Sequence, residues 1–262
     1  MDYSKIIKLI EEIAPNEEYR DIDNSGVQIY AGKEDISSVL VCLEINEAVI
    51  REAVTKGADM ILTHHPLIFN PPKIIDFNDF PGRYIHQCIR EGISVYSAHL
   101  SFDFAPMGNN MYMMQLLNLF IRDASSREDG YYGQLPEPMS FPEACEYIED
   151  CLDLPGNYIR CVDGGRQQIV NIGLCTGAGG DYIYDAARRG CDLFITGDLK
   201  LHEAQYAKAM GMSVIDAGHY GTEKIFVENM AHQINAKATE QGLTINVIMA
   251  EANTNPYVLL YE

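Results

Sequence analysis

Basic residues are scarce in this chain. Its 262 residues carry 19 Lys and Arg against 38 Asp and Glu, a formal net charge of −19. That deficit argues against a binder of nucleic acid or of an anionic membrane, because both need a basic footprint. Neither partner is expected. Cysteine pairing signals are also missing. The seven Cys are odd in number and no two form a C-x-x-C pair, which disfavours a disulfide framework and a thiolate zinc site. The pattern fits a reducing compartment, and a cytoplasmic location is expected. Long apolar runs are lacking too. The longest stretch without a charge, Phe104 to Ile121, is broken by Pro106, Gly108, Asn109, Asn110, Gln115 and Asn118, a poor membrane span whose Met/Tyr/Leu-rich second half reads as a buried helix. The opening segment places Ile6, Ile7, Leu9, Ile10 and Ile13 at helical spacing among charges. That is an amphipathic helix rather than the apolar core of a signal peptide.

What is present is enough apolar material for a folded core, 47% of the chain with 22% charged, over a length suited to one or two domains. The chain also contains a repeat. Residues 41–63 align without a gap to residues 174–196, matching Cys42 with Cys175, Ala53 with Ala186, Gly57 with Gly190, Asp59 with Asp192 and Thr63 with Thr196. Each copy reads as an apolar strand, a helix stopped by Gly after Lys or Arg, and a second apolar strand. Each continues into a further strand, ISVYSAHLSFD in the first and MSVIDAGHYGTE in the second. Both end in a His followed four residues later by an acid, His99 with Asp103 and His219 with Glu223. The fold class expected is α/β, with two pseudo-symmetric three-layer α/β halves over residues 1–122 and 160–262. The connecting segment 123–159 reads as a loop, SSREDGYYGQLPEP, and a helix from Pro142 to Leu152.

Four polar clusters follow predicted strands: Thr63 to Pro66, Ala98 to Asp103, Thr196 to His202 and Gly218 to Glu223. Five of the seven His lie in them. Parallel strands joined by right-handed crossovers would bring such clusters to one edge, where α/β sheets bind ligands. Imidazoles with carboxylates and no nearby thiol suit divalent Zn, Mn, Fe, Co or Ni. His64, His65, Asp103, His219 and Glu223 are the candidate ligands. Neighbours on a regular strand point to opposite faces, so His64 and His65 can serve one site only if the backbone turns there. His219 and Glu223 share a face if a helix starts at His219. The turn Thr176 to Asp181 could cradle a phosphate on the backbone of Gly177, Gly179 and Gly180, or serve as a tight turn only. It is not a Walker A loop, since no G-K-[ST] follows. Asp198, Lys200 and His202 are candidate acid–base groups.

These motifs resemble the Nif-three-like family, also called GTP cyclohydrolase I type 2 homologues. The resemblance rests on Asp23-Asn24-Ser25-Gly26, ILTHHPLIF, AHLSFD, TGAGGD, TGDLKLHEA and DAGHYGTE, which span Asp23 to Glu223. It implies two similar α/β halves, two divalent metal ions per chain in the cleft between them, and assembly into a toroidal homohexamer. By motif the ligands would be His64, His65, Asp103, His219 and Glu223, with His99 beside them as a supporting or acid–base residue. Two departures bear on the substrate. The usual AHTNLD is AHLSFD here, and Leu201 stands where members carry a second His before His202. The large inserted domain of longer members has no room in this chain.

Two functions of different class follow. One is a metal-dependent hydrolase acting on a small phosphorylated, nucleotide-like or cyclic-amide molecule, with His99, Asp198 and His202 moving protons. The other is a non-catalytic protein that stores or delivers metal, or scaffolds a partner.

Overall fold

A computed structural model describes residues 1–19, 21–121, 130–156 and 158–258. The chain opens with α1 (Tyr3–Ile13), β1 (Gly26–Ile29), β2 (Ser38–Cys42), α2 (Glu47–Lys56), β3 (Met60–Thr63), α3 (Gly82–Arg90), β4 (Ser94–Ser97) and the single turn α4 (Leu100–Asp103). It continues with α5 (Asn109–Leu116), β5 (Phe120–Ile121), β6 (Tyr131–Met139), α6 (Phe141–Cys151), β7 (Arg160–Val162), β8 (Ile169–Leu174), α7 (Ile183–Arg188), β9 (Leu193–Thr196), α8 (Leu201–Ala209), β10 (Ser213–Asp216) and α9 (His219–Glu223). It closes with α10 (Phe226–Glu240) and β11 (Asn246–Met249).

The chain divides into two compact units. The first comprises residues 1–108 with 226–257, and the second residues 109–225 with 258–262. The described part of the first unit is one five-stranded sheet, ordered β1-β4-β3-β2-β11. Strands β2, β3, β4 and β11 are parallel and β1 is antiparallel at the edge. Every residue of β2, β3 and β4 is buried, as expected of a parallel sheet covered on both faces. Leu40, Cys42, Ile61 and Val95 pack against Val49, Ile50 and Ala53 of α2 and Ile85 and Cys88 of α3. Alternation sends Val39, Val41, Met60 and Leu62 to the opposite face, and α10 lies against β2 and α1.

The second unit carries a six-stranded sheet, β5-β6-β8-β9-β10-β7. Strands β8, β9 and β10 are parallel, while β5, β6 and β7 run antiparallel to their neighbours. On one face Phe194 and Val214 pack with Ile183 and Ala186 of α7 and Ala207 of α8.

The repeat survives in detail. β2-α2-β3-α3-β4 and β8-α7-β9-α8-β10 have the same order and direction. Oδ2 of Asp59 accepts the amides of Ser37 and Ser38 at 2.8 and 3.2 Å. Oδ2 of Asp192, its aligned partner, accepts those of Val170 and Asn171 at 3.2 and 2.9 Å. Lys33 and Arg166, also aligned, face the two carboxylates at 2.7 and 3.9 Å.

The boundaries differ from those read in the sequence. Residues 226–257 belong to the first unit, because β11 extends the first sheet in parallel beside β2. Part of the expected loop 125–138 is a strand, since Tyr131–Gln134 pair with Asn171–Leu174 of β8. Residues 125–129 lie outside the described part. The helix expected over 142–152 spans Phe141–Cys151, entered through a capping box of Ser140 and Glu143. The strands that precede the four polar clusters fall two and two on separate sheets.

Candidate metal centre

In the first unit β3 ends at Thr63 and the backbone then bends. The Thr63 hydroxyl donates to Leu43 O at 3.0 Å, and Ser97 Oγ donates to His64 O at 2.7 Å. The bend lets the adjacent His64 and His65 rings lie 4.8 Å apart instead of on opposite faces. At the end of β4, the amides of Phe102 and Asp103 donate to His99 O at 2.8 and 3.0 Å. This single turn brings the Asp103 carboxylate back beside His64. His64, His65 and His99 each offer a nitrogen within 4.8 Å of the others.

Each ring is fixed through Nδ1. His64 Nδ1 donates to Ala98 O at 2.9 Å; a carbonyl can only accept, so Nδ1 carries the hydrogen and Nε2 a lone pair. His65 Nδ1 meets Glu44 Oε1 at 2.7 Å, and His99 Nδ1 meets Asp23 Oδ1 at 2.8 Å. Asp23 is held in turn by Ser25 Oγ and the amide of Leu100. Burial pushes its carboxyl pKa up, but the hydrogen bonds from His99 and Ser25 and the attraction of His99 outweigh that and hold it below the ordinary value. His64 is fully buried, with Phe226 packed 4.8 Å from its ring and Phe102 edge-on to Phe226. Its Nε2 lies 3.4 Å from Asp103 Oδ1.

The second unit repeats this logic with different parts. His219 opens α9 and Glu223 sits one turn later. His219 Nδ1 meets Asp198 Oδ2 at 2.7 Å, and His219 Nε2 lies 3.0 Å from Glu223 Oε2. Glu223 is nearly fully buried. Its carboxylate lies against Gly177, where an added Cβ would meet Oε1.

A lone pair facing a carboxylate, as at His64–Asp103 and His219–Glu223, is two acceptors in contact. A shared cation resolves that conflict, or an extra proton on the ring. Histidines fixed through Nδ1 by an acceptor, with Nε2 presented, are the standard arrangement of metal-ligating imidazole. The donor set therefore fits a divalent metal such as Zn, Mn, Fe, Co or Ni.

The remaining candidates fall outside this pattern. Asp198 holds His219 and does so from a left-handed backbone, φ 53°. His202 is exposed on α8, 3.8 Å from Glu203, and joins none of the donor groups among the described residues. Lys200 caps the same helix, its amide donating to Glu203 at 2.9 Å. In the glycine turn, the Gly177 amide donates to Thr222 Oγ1 and the Gly179 amide to Thr196 Oγ1, each at 2.9 Å. Gly180 lies against the buried Glu203 carboxylate, which an added Cβ would strike. Two amides of the turn are thus spent on hydroxyls of the fold, a carboxylate faces Gly180, and Gly177 lies against Glu223. Sequence reading missed Asp23 and Glu44 as the residues that orient His99 and His65. The signal for Asp23 was the Asp-Asn-Ser-Gly motif, which carried no role until the fold brought it to His99.

Residues 1–256 match the family model described as Duf34/NIF3 (NGG1p interacting factor 3). The chain is 30% identical over 263 residues to a GTP cyclohydrolase 1 type 2 homolog from Streptococcus pneumoniae, covering 97% of this chain and 98% of that one. It also resembles the crystal structure of a hypothetical protein from Staphylococcus aureus at TM-score 0.88 and 26% identity, covering 99% of each chain. A Bacillus cereus protein related to NIF3 shares the fold at TM-score 0.88 and 21% identity, again over 99% of each chain.

Proposed function

From a chain that belongs to the Duf34/NIF3 family and fixes its histidines in this way, we propose a dinuclear metal-dependent hydrolase. His64, His65, Asp103, His219 and Glu223 hold two divalent ions, and the substrate is a small phosphorylated, nucleotide-like or cyclic-amide molecule. One observation carries the reading. All four histidines are tied at Nδ1, and two of them face a buried carboxylate through Nε2. When bound, the ions would supply Lewis-acid polarisation of the scissile group and lower the pKa of water. They would also supply the positive field that an anionic substrate needs near a protein of net charge −19.

The chain's own residues do the rest. Ala98 O, Glu44 and Asp198 keep His64, His65 and His219 in the tautomer that presents Nε2. Asp23 does the same for His99, and the Asp23 carboxylate stabilises the imidazolium when His99 takes a proton. His99 is therefore the acid–base group of the reading. Phe226 and Phe102 keep water from His64 on one side.

A homohexamer is supported by the family resemblance alone; Ile74, Ile75, Phe77 and Phe80, all exposed on the segment before α3, offer apolar surface for association of some kind. A cytoplasmic location is supported by the odd cysteine count. No described helix is long and apolar enough to cross a membrane.

The test is a screen of protein loaded with Zn, Mn, Fe or Co against phosphoesters, nucleotides and cyclic amides, with His99→Gln alongside. Turnover by the native chain, lost in His99→Gln while metal content is unchanged, is expected. Loaded protein with no turnover on any substrate class would overturn the hydrolase and leave a metal-holding scaffold.

A further inference from the structure

Two cysteines outside the donor set lie in contact. Cys145 is on α6 and Cys161 is on β7, sixteen residues on, with their Sγ atoms 3.6 Å apart. Cys42, Cys88, Cys175 and Cys191 are buried, and Cys151 is half-buried. Burial pushes the Cys88 and Cys191 thiols up to about 12, a mark of inert core residues. Cys161, by contrast, is exposed, and Cys145 is half-buried behind it. Cys161 also lines a surface cavity of about 220 Å³ with Arg160, Lys200 and Leu201, open to a small reagent.

We propose that Cys161 and Cys145 form a reversible redox pair, in which Cys161 is the reactive thiol and Cys145 the resolving one. Side-chain rotation has to close the gap from 3.6 Å to the S–S bond length of about 2.05 Å. Exposure assigns the two roles: Cys161 is open to a reagent, and Cys145 lies half-buried behind it.

The oxidant is a hydroperoxide. The Cys161 thiolate attacks the distal oxygen of H2O2, the O–O bond breaks, and hydroxide leaves as water after protonation. This gives Cys161 sulfenic acid. The Cys145 sulfur then attacks the Cys161 sulfur, the S–O bond breaks, and a second water leaves. Two thiols and one peroxide become one disulfide and two waters, the two electrons passing from sulfur to oxygen. A dithiol reductant reverses the step. Such a bond in a reducing compartment is transient, and so it reports redox state rather than holding the fold.

The location gives the pair a consequence. β7 is an edge strand paired to β10, with Cys161 opposite Ile215. Its neighbour Arg160 pairs with Asp216, and Asp216 accepts the amides of Leu199 and Gly218 at 3.2 and 3.0 Å. Oxidation therefore staples α6 to β7, whose neighbour β10 ends at Asp216, three residues before His219.

The experiment treats the reduced full chain with a few equivalents of H2O2, alkylates it under denaturing conditions and maps the peptides. Expected is the loss of two alkylatable thiols per chain, a cross-linked Cys145–Cys161 peptide, and full recovery with dithiothreitol. Cys145→Ser should accumulate Cys161 sulfenic acid, trapped by dimedone. Cys161→Ser should stop the reaction at Cys145. The native map decides the matter even if either variant misfolds. Peroxide consumption without the Cys145–Cys161 peptide would overturn the proposal. So would a bond to Cys151 or between chains, or equal reactivity in Cys161→Ser.

Discussion

The two units build matching strand ends for opposite purposes. After β3 the chain reads Thr63-His64-His65, and the aligned stretch after β9 reads Thr196-Gly197-Asp198. The threonines do the same work, each hydroxyl bonding the carbonyl at the end of the neighbouring strand's loop, Leu43 O and Gly177 O. The next two positions diverge. In the first unit they are donors, His64 and His65. In the second, Gly197 makes room for the His219 backbone, where a Cβ would collide, and Asp198 orients the His219 ring. A second aligned pair shows the same division. Glu44 reaches out to hold His65, whereas Gly177 at the matching position clears space for Glu223. One copy of the repeat thus puts its candidate donors on strand ends and recruits support, while the other puts its support there and brings candidate donors on α9. A duplicated scaffold fixes where side chains arrive, not which job each does.

That contrast can be broken most severely at Gly177. Gly177→Ala sets a Cβ against Glu223 on a backbone with φ +65°, and should cost at least about 1–3 kcal/mol as well as displacing the carboxylate. Urea unfolding and metal titration check both. Glu44→Ala at the matching position should leave the fold intact and weaken metal binding roughly 10–100-fold, as loss of an orienting partner does. Equal effects in the two variants would erase the distinction between space and support. Asp23→Asn and Asp198→Asn sharpen it next. Each removes the carboxylate that orients one histidine. Asp198→Asn, behind the candidate ligand His219, should lower metal affinity by about 10–100-fold in competition with a chromophoric chelator, whereas Asp23→Asn, behind the acid–base candidate His99, should leave metal content unchanged and lower turnover.

Smaller effects come from the parts the units share. Asp59→Asn should cost on the order of 1–2 kcal/mol at neutral pH. Burial raises the Asp59 carboxyl, but the hydrogen bonds from Lys33 and Ser37 outweigh that and hold it at about 2 against an ordinary 3.8. A depressed folded-state pKa contributes stability present above pH 3.8 and lost as the pH falls toward 2. The gap between native chain and variant should narrow over that window in denaturation at stepped pH. Last, His202→Ala changes an exposed side chain outside the donor groups. It should alter stability by less than about 0.5 kcal/mol and leave metal content unchanged.

Much of this was legible in the sequence, for physical reasons. Buried parallel strands write themselves as apolar runs, and the gapless match of 41–63 with 174–196 marked the duplicated βαβ. The donors were legible because they follow those strands at once. What escaped depended on contacts across long separations. Asp23 reaches His99 over 76 residues, and an Asp before Asn-Ser-Gly reads locally as a turn. β11 is a half-exposed edge strand, and its sequence holds nothing that selects β2 as its partner. β6 looked like a loop because it carries Gly133, Pro136 and Pro138. The prolines fall where its pairing with β8 is interrupted, between Gln134 and Met139, so their missing amides break no ladder bond.

These acceptor-rich histidine and carboxylate pairs are the groups proposed to hold metal. The direct test is metal content per chain by plasma mass spectrometry, on protein purified without a histidine tag, beside His64→Ala and Glu223→Ala. About two equivalents of divalent metal are expected in the native chain, as a two-metal site requires, with loss in both variants. No metal in the native chain, even after reloading with Zn, Mn, Fe or Co, would contradict the proposal.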